Sequence, residues 1–123
     1  MKVAIEIDGD AIVAHCIHYK TAQAFIEKWN SRKTRINYDN CFFMTNDRNG
    51  FKEEHLKLFD ALPYKNKVCF VHKEHPESES AFYIKGSEEE NMVKAMTDYK
   101  HSFGIKRRYD DFDFVSWLNS GIE

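Results

Sequence analysis

Cys41-Phe42-Phe43-Met44-Thr45, the polar break Asn46-Asp47-Arg48-Asn49-Gly50, the stretch from Glu53 to Pro63, and Lys67-Val68-Cys69-Phe70-Val71-His72 together decide the fold class. The two short, unbroken apolar runs read as strands covered on both faces. Between them Leu56, Phe59 and Leu62 recur at helical spacing, and Glu53 and Glu54 occupy the first turn, where acids complement the helix dipole. Pro63 ends the pattern because proline cannot continue a helix. A strand, a helix and a second strand in this order call for a crossover connection and a parallel pair.

Upstream, residues 2–7 alternate weakly, and Asp8-Gly9 separates them from a second run, Ala11 to Tyr19. Asp-Gly between β-like runs is a strong short-range hairpin signal, so two antiparallel strands should open the chain. Thr21 is placed to cap a helix whose Ala22, Phe25, Ile26 and Trp29 fall on one face, with basic Arg32, Lys33 and Arg35 near its carboxyl end. Downstream, a polar loop through Pro76 leads to a fifth strand, Ala81 to Ile84. Ser87-Glu88-Glu89-Glu90 reads as a capping box for a third helix carrying Val93, Met96 and Phe103 and ending near Gly104. Asp110 or Asp111 should cap a last helix with Phe112, Val115 and Leu118, stopped by Gly121. The expectation is a single α/β domain over residues 1–123, with a mixed, partly parallel sheet of about five strands, flanking helices and an opening β-hairpin.

With 42% hydrophobic and 15% aromatic residues the chain has the material for one modest core. Its charges nearly cancel at a formal −2, which gives no reason to expect nucleic acid or an anionic membrane as a partner. No apolar run approaches the roughly 20 residues of a membrane span. Met1 to Glu6 places an acid within the apolar stretch and lacks a cleavage site, so no signal peptide is expected and the location is read as cytoplasmic. Cys16, Cys41 and Cys69 lie in strand-like runs with no paired spacing, which fits reduced thiols packed as small hydrophobes.

In open α/β sheets, ligands bind beyond the carboxyl ends of parallel strands. Two such ends are legible, Thr45-Asn46-Asp47-Arg48 and His72-Lys73-Glu74-His75. If the strands are parallel, these ends share an edge. Asp47 and His72 then form a candidate general acid–base pair, with Asp47 as the acid–base group and Arg48 or Lys73 holding an anion. The alternative is a polar turn in which Asp47 and Asn49 satisfy loop amides. His15/His18 and His72/His75 have a spacing that would point to opposite faces of a strand, so no metal site is expected from either pair. Asp111-Phe112-Asp113 could hold a divalent cation, but at a helix start capping is the preferred reading. Arg32, Lys33, Arg35, Arg48, Lys65 and Lys67 make the middle of the chain more basic than its ends, as a phosphate or acidic-sugar site would.

Several stretches carry a family resemblance: His18-Tyr19-Lys20, Glu27-Lys28-Trp29 with Arg32-Lys33 and Arg35-Ile36-Asn37, Asp39-Asn40, Thr45 with Asp47-Arg48 and Gly50, Phe59 to Lys67, and Phe112 to Asn119. In these the chain resembles the carboxyl-terminal half of a bacterial family of unknown function, domain of unknown function nineteen-nineteen. The resemblance implies an α/β protein associated with exopolysaccharide, capsule or lipopolysaccharide assembly. It also implies an amino-terminal half not represented here, so that the chain is either a shortened member or one whose other half a protein partner supplies. On that reading the chain is a sugar- or acyl-transferring enzyme or part of one, using a nucleotide-sugar, an acyl donor or a glycan. Asp47 and His72 would be catalytic, and Arg48, Asn40, Lys65, His18 and Arg35 would bind substrate. The alternative is a non-catalytic binding or scaffolding module, or a degenerate remnant, of the same system. The identity of any cofactor is left open.

Overall fold

The computed structural model describes residues 1–7 and 9–120, with strands β1 (Lys2–Ile7), β2 (Asp10–His15), β3 (Phe42–Asn46), β4 (Asn66–Val71) and β5 (Ala81–Tyr83). The helices are α1 (Ala22–Lys33), α2 (Glu53–Asp60) and α3 (Phe114–Asn119). The fold is mixed α/β, and the chain divides into two compact units, Met1–Asp39 and Asn40–Glu123.

In the first unit β1 and β2 form the expected antiparallel hairpin, with Val3 opposite Ala14 and Ile5 opposite Ile12. Asp8 of the turn signal lies outside the described residues. The second strand stops at His15, and the Cys16 amide donates to the Met1 carbonyl at 2.8 Å. Thr21 caps α1 as its position predicts, its hydroxyl accepting from the Ala24 amide at 3.2 Å. The helical spacing of Phe25 and Trp29 stacks their rings, and Tyr19 meets Phe25 edge-on.

The second unit is built on a parallel sheet in the order β3-β4-β5. Helix α2 lies between β3 and β4, as the sequence pattern requires, whereas residues 72–80 join β4 to β5 without a helix. Alternation along β4 sends its side chains to opposite faces. Cys69 and Val71 pack with Leu56 of α2, Phe51, Phe59, Ala81 and Tyr83. Val68 and Phe70 pack with Ile84, Val93, Phe82, Met96 and an aromatic group of Phe112, Phe114 and Trp117. Burying each large side chain of this kind contributes about 1.5–3 kcal/mol. As the central strand, β4 is covered on both faces; β3 is an edge strand and its Met44 is exposed, contrary to the expectation of full cover.

Two expected helices are corrected. No helix forms over the described residues 85–107, although Val93 and Met96 do join the core. Gly86, with φ +98°, turns the chain in a conformation that favours glycine. The Glu88 carboxylate bends back to the Gly86 amide and the Tyr83 hydroxyl, and Glu90, the acid the capping box would use, pairs with Lys94 at 3.6 Å. Buried Ser87 receives the Lys94 amide at 3.1 Å, seven residues on. The last helix starts later than expected, after a 3-10 turn over Arg108–Asp111, and its cap is Asp113, which accepts from the Ser116 amide at 2.9 Å. Phe114 and Trp117 face the core while Val115 and Leu118 are exposed, reversing the expected face. Gly121 lies outside the described residues. Of the three cysteines, Cys69 lies in a strand, while Cys16 and Cys41 lie just outside β2 and β3.

Candidate functional site

The parallel pairing of β3 with β4 sets Asn46 opposite Phe70, so the residues that follow the two strands emerge on one edge. Asp47 is locked there by its own amide, which donates to the Phe70 carbonyl at 3.1 Å. Its side chain is turned inward, 7% exposed. Asp47 Oδ2 accepts the His72 amide at 2.8 Å and contacts His72 Nδ1 at 2.5 Å. Asp47 Oδ1 accepts the amide of buried Val93 at 2.6 Å. One carboxylate therefore joins the ends of both strands to the segment that replaces the expected third helix.

This arrangement fixes the imidazole. With Nδ1 held by a carboxylate, the tautomer of neutral His72 carries its proton on Nδ1 and keeps a lone pair on Nε2. The ring borders a cavity of about 290 Å³ whose other walls include Asp47, Phe51, Lys52, Lys73, His75 and Asn91. Lys73 pairs with Glu53 at 3.0 Å, and this contact holds the Glu53 carboxyl below its ordinary value. His75 Nδ1 contacts Glu77 at 2.9 Å and lowers that carboxyl likewise.

Asp47 and His72 are brought together as the sequence anticipated. Arg48 stands beside them, but its guanidinium donates to the Val93 carbonyl at 2.9 Å, bracing the same segment that Asp47 holds. Asn40 and Lys65 precede β3 and β4 and so lie toward the amino ends of these strands, the opposite edge of the sheet. His18 and Arg35 are exposed residues of the first unit. His72 and His75 were expected to diverge on a strand; because β4 ends at Val71, both sit in the following loop and border one cavity. Among the described residues no group of three or more His, Cys, Asp or Glu side chains has the arrangement of a metal site. Asp113 caps α3, and Asp111 pairs with Lys100 and Lys106, so the Asp-x-Asp stretch is spent on local structure.

Phe51, Lys52, Glu53 and Asn91 have no site role in the sequence reading, and His75 enters it only within the second strand end and as half of a discarded metal pair. Lys52 and Glu53 carry a legible signal, since they start the helix after β3, where crossover folds place ligand contacts. Asn91 and Val93 carry none, because a long irregular segment delivers them.

The sequence matches, over residues 4–119, the family described as domain of unknown function DUF1919. The chain belongs to the DUF1919 family. A DUF1919 relative, an uncharacterized protein of Haemophilus influenzae (strain ATCC 51907 / DSM 11121 / KW20 / Rd), is 46% identical over 105 residues. That alignment takes in 85% of this chain and 50% of the relative, so the chain spans about half the length of the curated relative it matches. No solved structure matches this DUF1919 chain. No helix among the described residues is long and apolar enough to cross a membrane.

Proposed function

We propose that this DUF1919 chain is a transferase unit of bacterial surface-polysaccharide assembly, in which His72 acts as general base and Asp47 orients it. The observation that carries the reading is the 2.5 Å contact between His72 Nδ1 and Asp47 Oδ2 beside a cavity at the carboxyl edge of parallel strands. Asp47 already accepts two backbone amides and the ring, which suits it to positioning; the proton-carrying role passes to His72 Nε2. An acceptor glycan hydroxyl would give its proton to Nε2 as its oxygen bonds to the activated carbon of the donor. The donor, a nucleotide-sugar or an acyl thioester, would release its nucleoside diphosphate or thiolate. Lys52 and Lys73 line the cavity but are paired with Glu54 at 3.6 Å and Glu53 at 3.0 Å, so an anionic donor would bind by exchanging with those carboxylates. The polysaccharide context and the placement of this chain as a carboxyl-terminal half rest on the sequence resemblance, and a cytoplasmic location fits the use of activated donors.

The test is a thermal-shift screen with nucleotide-sugars, acyl-coenzyme A donors and short glycans, followed by transfer assays of the responding pair. Ligand at 100 times its dissociation constant stabilises by about 2.7 kcal/mol. His72→Gln should keep that shift and lower turnover by about 10²–10⁴-fold, the usual contribution of a positioned acid–base group. Full turnover by His72→Gln would reject the assignment. A second reading, a non-catalytic module of the same system, is favoured by Arg48, whose guanidinium is used on the Val93 carbonyl at 2.9 Å to brace a loop. It predicts that polysaccharide output of the host survives His72→Gln but not loss of the whole chain.

A further inference from the structure

Residues 99–107 fold back on themselves through an antiparallel bridge between Tyr99 and Arg107, with the Lys100 amide donating to the Lys106 carbonyl at 3.0 Å. The turn closes where the Gly104 amide donates to the His101 carbonyl at 2.8 Å, and a Cβ at Gly104 would meet that oxygen at 3.0 Å. The tip presents Phe103 and Ile105, which are 101% and 97% exposed. Two large apolar side chains held wholly in solvent by a hydrogen-bonded turn serve no core, and such exposure marks an interaction surface.

The arms of this finger are cationic. Lys100 and Lys106 converge on the single carboxylate of Asp111, which leaves one positive charge uncompensated. Arg107 lies over the Tyr99 ring at 5.2 Å and donates to the Tyr109 hydroxyl at 3.1 Å. Among the described residues no carboxylate is in ion-pair distance of its guanidinium; Asp110, whose carboxylate accepts the Arg107 amide at 2.7 Å, adds a negative charge, so Lys100, Lys106 and Arg107 exceed Asp110 and Asp111 by a single charge. Arg108 is buried and faces Asp98 at 3.9 Å, so that pair adds no net charge. His101 is exposed beside the tip. An apolar point set in a net-positive collar matches an anionic bilayer, where apolar side chains enter the boundary between headgroups and acyl chains while cations remain among the phosphates.

We propose that the 99–107 finger docks this protein on anionic phospholipid membranes, with Phe103 and Ile105 inserting and Lys100, Lys106 and Arg107 contacting headgroups. The inference is independent of the chemistry assigned to His72. It is tested by sedimentation of the full chain with phosphatidylcholine vesicles prepared with and without phosphatidylglycerol, at low and high salt. Binding should require phosphatidylglycerol and weaken with salt. Phe103→Ser/Ile105→Ser should reduce the partition coefficient about tenfold or more, and Arg107→Gln about fivefold. Both changes lie on the exposed finger, and an unchanged melting temperature confirms intact folding. Phe103→Ser alone serves if the double variant does not fold. Absence of vesicle binding, binding indifferent to phosphatidylglycerol, or equal binding by the tip variants would each overturn the proposal. A concentration-dependent dimer abolished by the same tip changes, without vesicle binding, would instead assign the finger to contacts between copies.

Discussion

The two ends of the parallel sheet each carry a carboxylate that ties a strand to a loop, and they differ in what else it touches. At the carboxyl edge, Asp47 accepts the His72 and Val93 amides and the imidazole, beside a cavity. At the amino edge, Asp60, the last residue of α2, accepts the Ser80 amide at 3.1 Å and the Ser80 hydroxyl at 2.5 Å just before β5 begins. Lys67 reinforces that edge by donating to the Asp60 and Leu62 carbonyls, which α2 leaves unpaired at its end. The same device therefore stabilises both ends. Only at Asp47 is the device joined to a titratable ring and open space, so a buried carboxylate alone does not mark a site.

The largest effect that would break this comparison comes from Asp47→Ala. It strands the His72 and Val93 amides and frees the imidazole. Leaving two amides without acceptors costs about 2–6 kcal/mol in all. Chemical denaturation should show that loss, and the amides of the 85–107 segment should exchange faster with solvent. Asp60→Ala comes next. The Ser80 amide and hydroxyl lose their acceptor, and the expected loss is about 1–3 kcal/mol. Ligand binding and turnover should be untouched. If Asp60→Ala abolished turnover while the fold persisted, the division between a structural and a functional edge would be wrong.

How far the sequence foretold this contrast depends on the range of the interactions involved. The hairpin, the Thr21 cap and the strand–helix–strand unit were legible because each is decided by residues within a few positions of one another. The pairing of Asp47 with His72 followed from the parallel sheet, which fixed the edge on which both emerge. The segment 85–107 was misread for the converse reason. Its local signals favour a helix, but Val93 is held by Asp47 and Arg48, 46 and 45 residues away in the chain. Phe112, Phe114 and Trp117 likewise take their places from Phe70 and from one another, in edge-to-face contacts that no local periodicity encodes. Arg48 was legible as a residue near the site, but its partner was not, and the partner decides whether it grips a ligand or a loop.

A smaller effect is the pH response of the amino edge. Burial raises the Asp60 carboxyl, but hydrogen bonds from Ser78 and Ser80 and the charge of Lys67 outweigh it, and the folded value lies below the ordinary 3.8. A carboxyl depressed on folding contributes stability that is complete above its unfolded value and is lost as pH falls through the folded one. Stability attributable to Asp60 should therefore be constant near neutrality and decline below about pH 4. Asp60→Asn should flatten that acid limb in denaturation curves. Asp111, depressed by Lys100 and Lys106 against its own burial, should keep part of the slope in the variant.

The smallest effect reads both edges at once, through Cys69. This residue lies near the middle of β4, wholly buried, and burial, then Asp47, then Asp60 push its thiol up to about 12. The thiolate is the reactive form, so a thiol this far above its ordinary 9.0 should not react in the folded state. At mildly alkaline pH an alkylating reagent should modify Cys69 no faster than the protein unfolds. Asp47→Ala should speed labelling mainly by making unfolding easier. Asp60→Asn, which removes a nearby charge and changes packing less, should leave the rate nearly unchanged, because burial outweighs either carboxylate. Labelling that outruns unfolding in the unaltered protein would mean that the sheet opens locally at β4. The two edges would then be separate structures with no rigid strand between them.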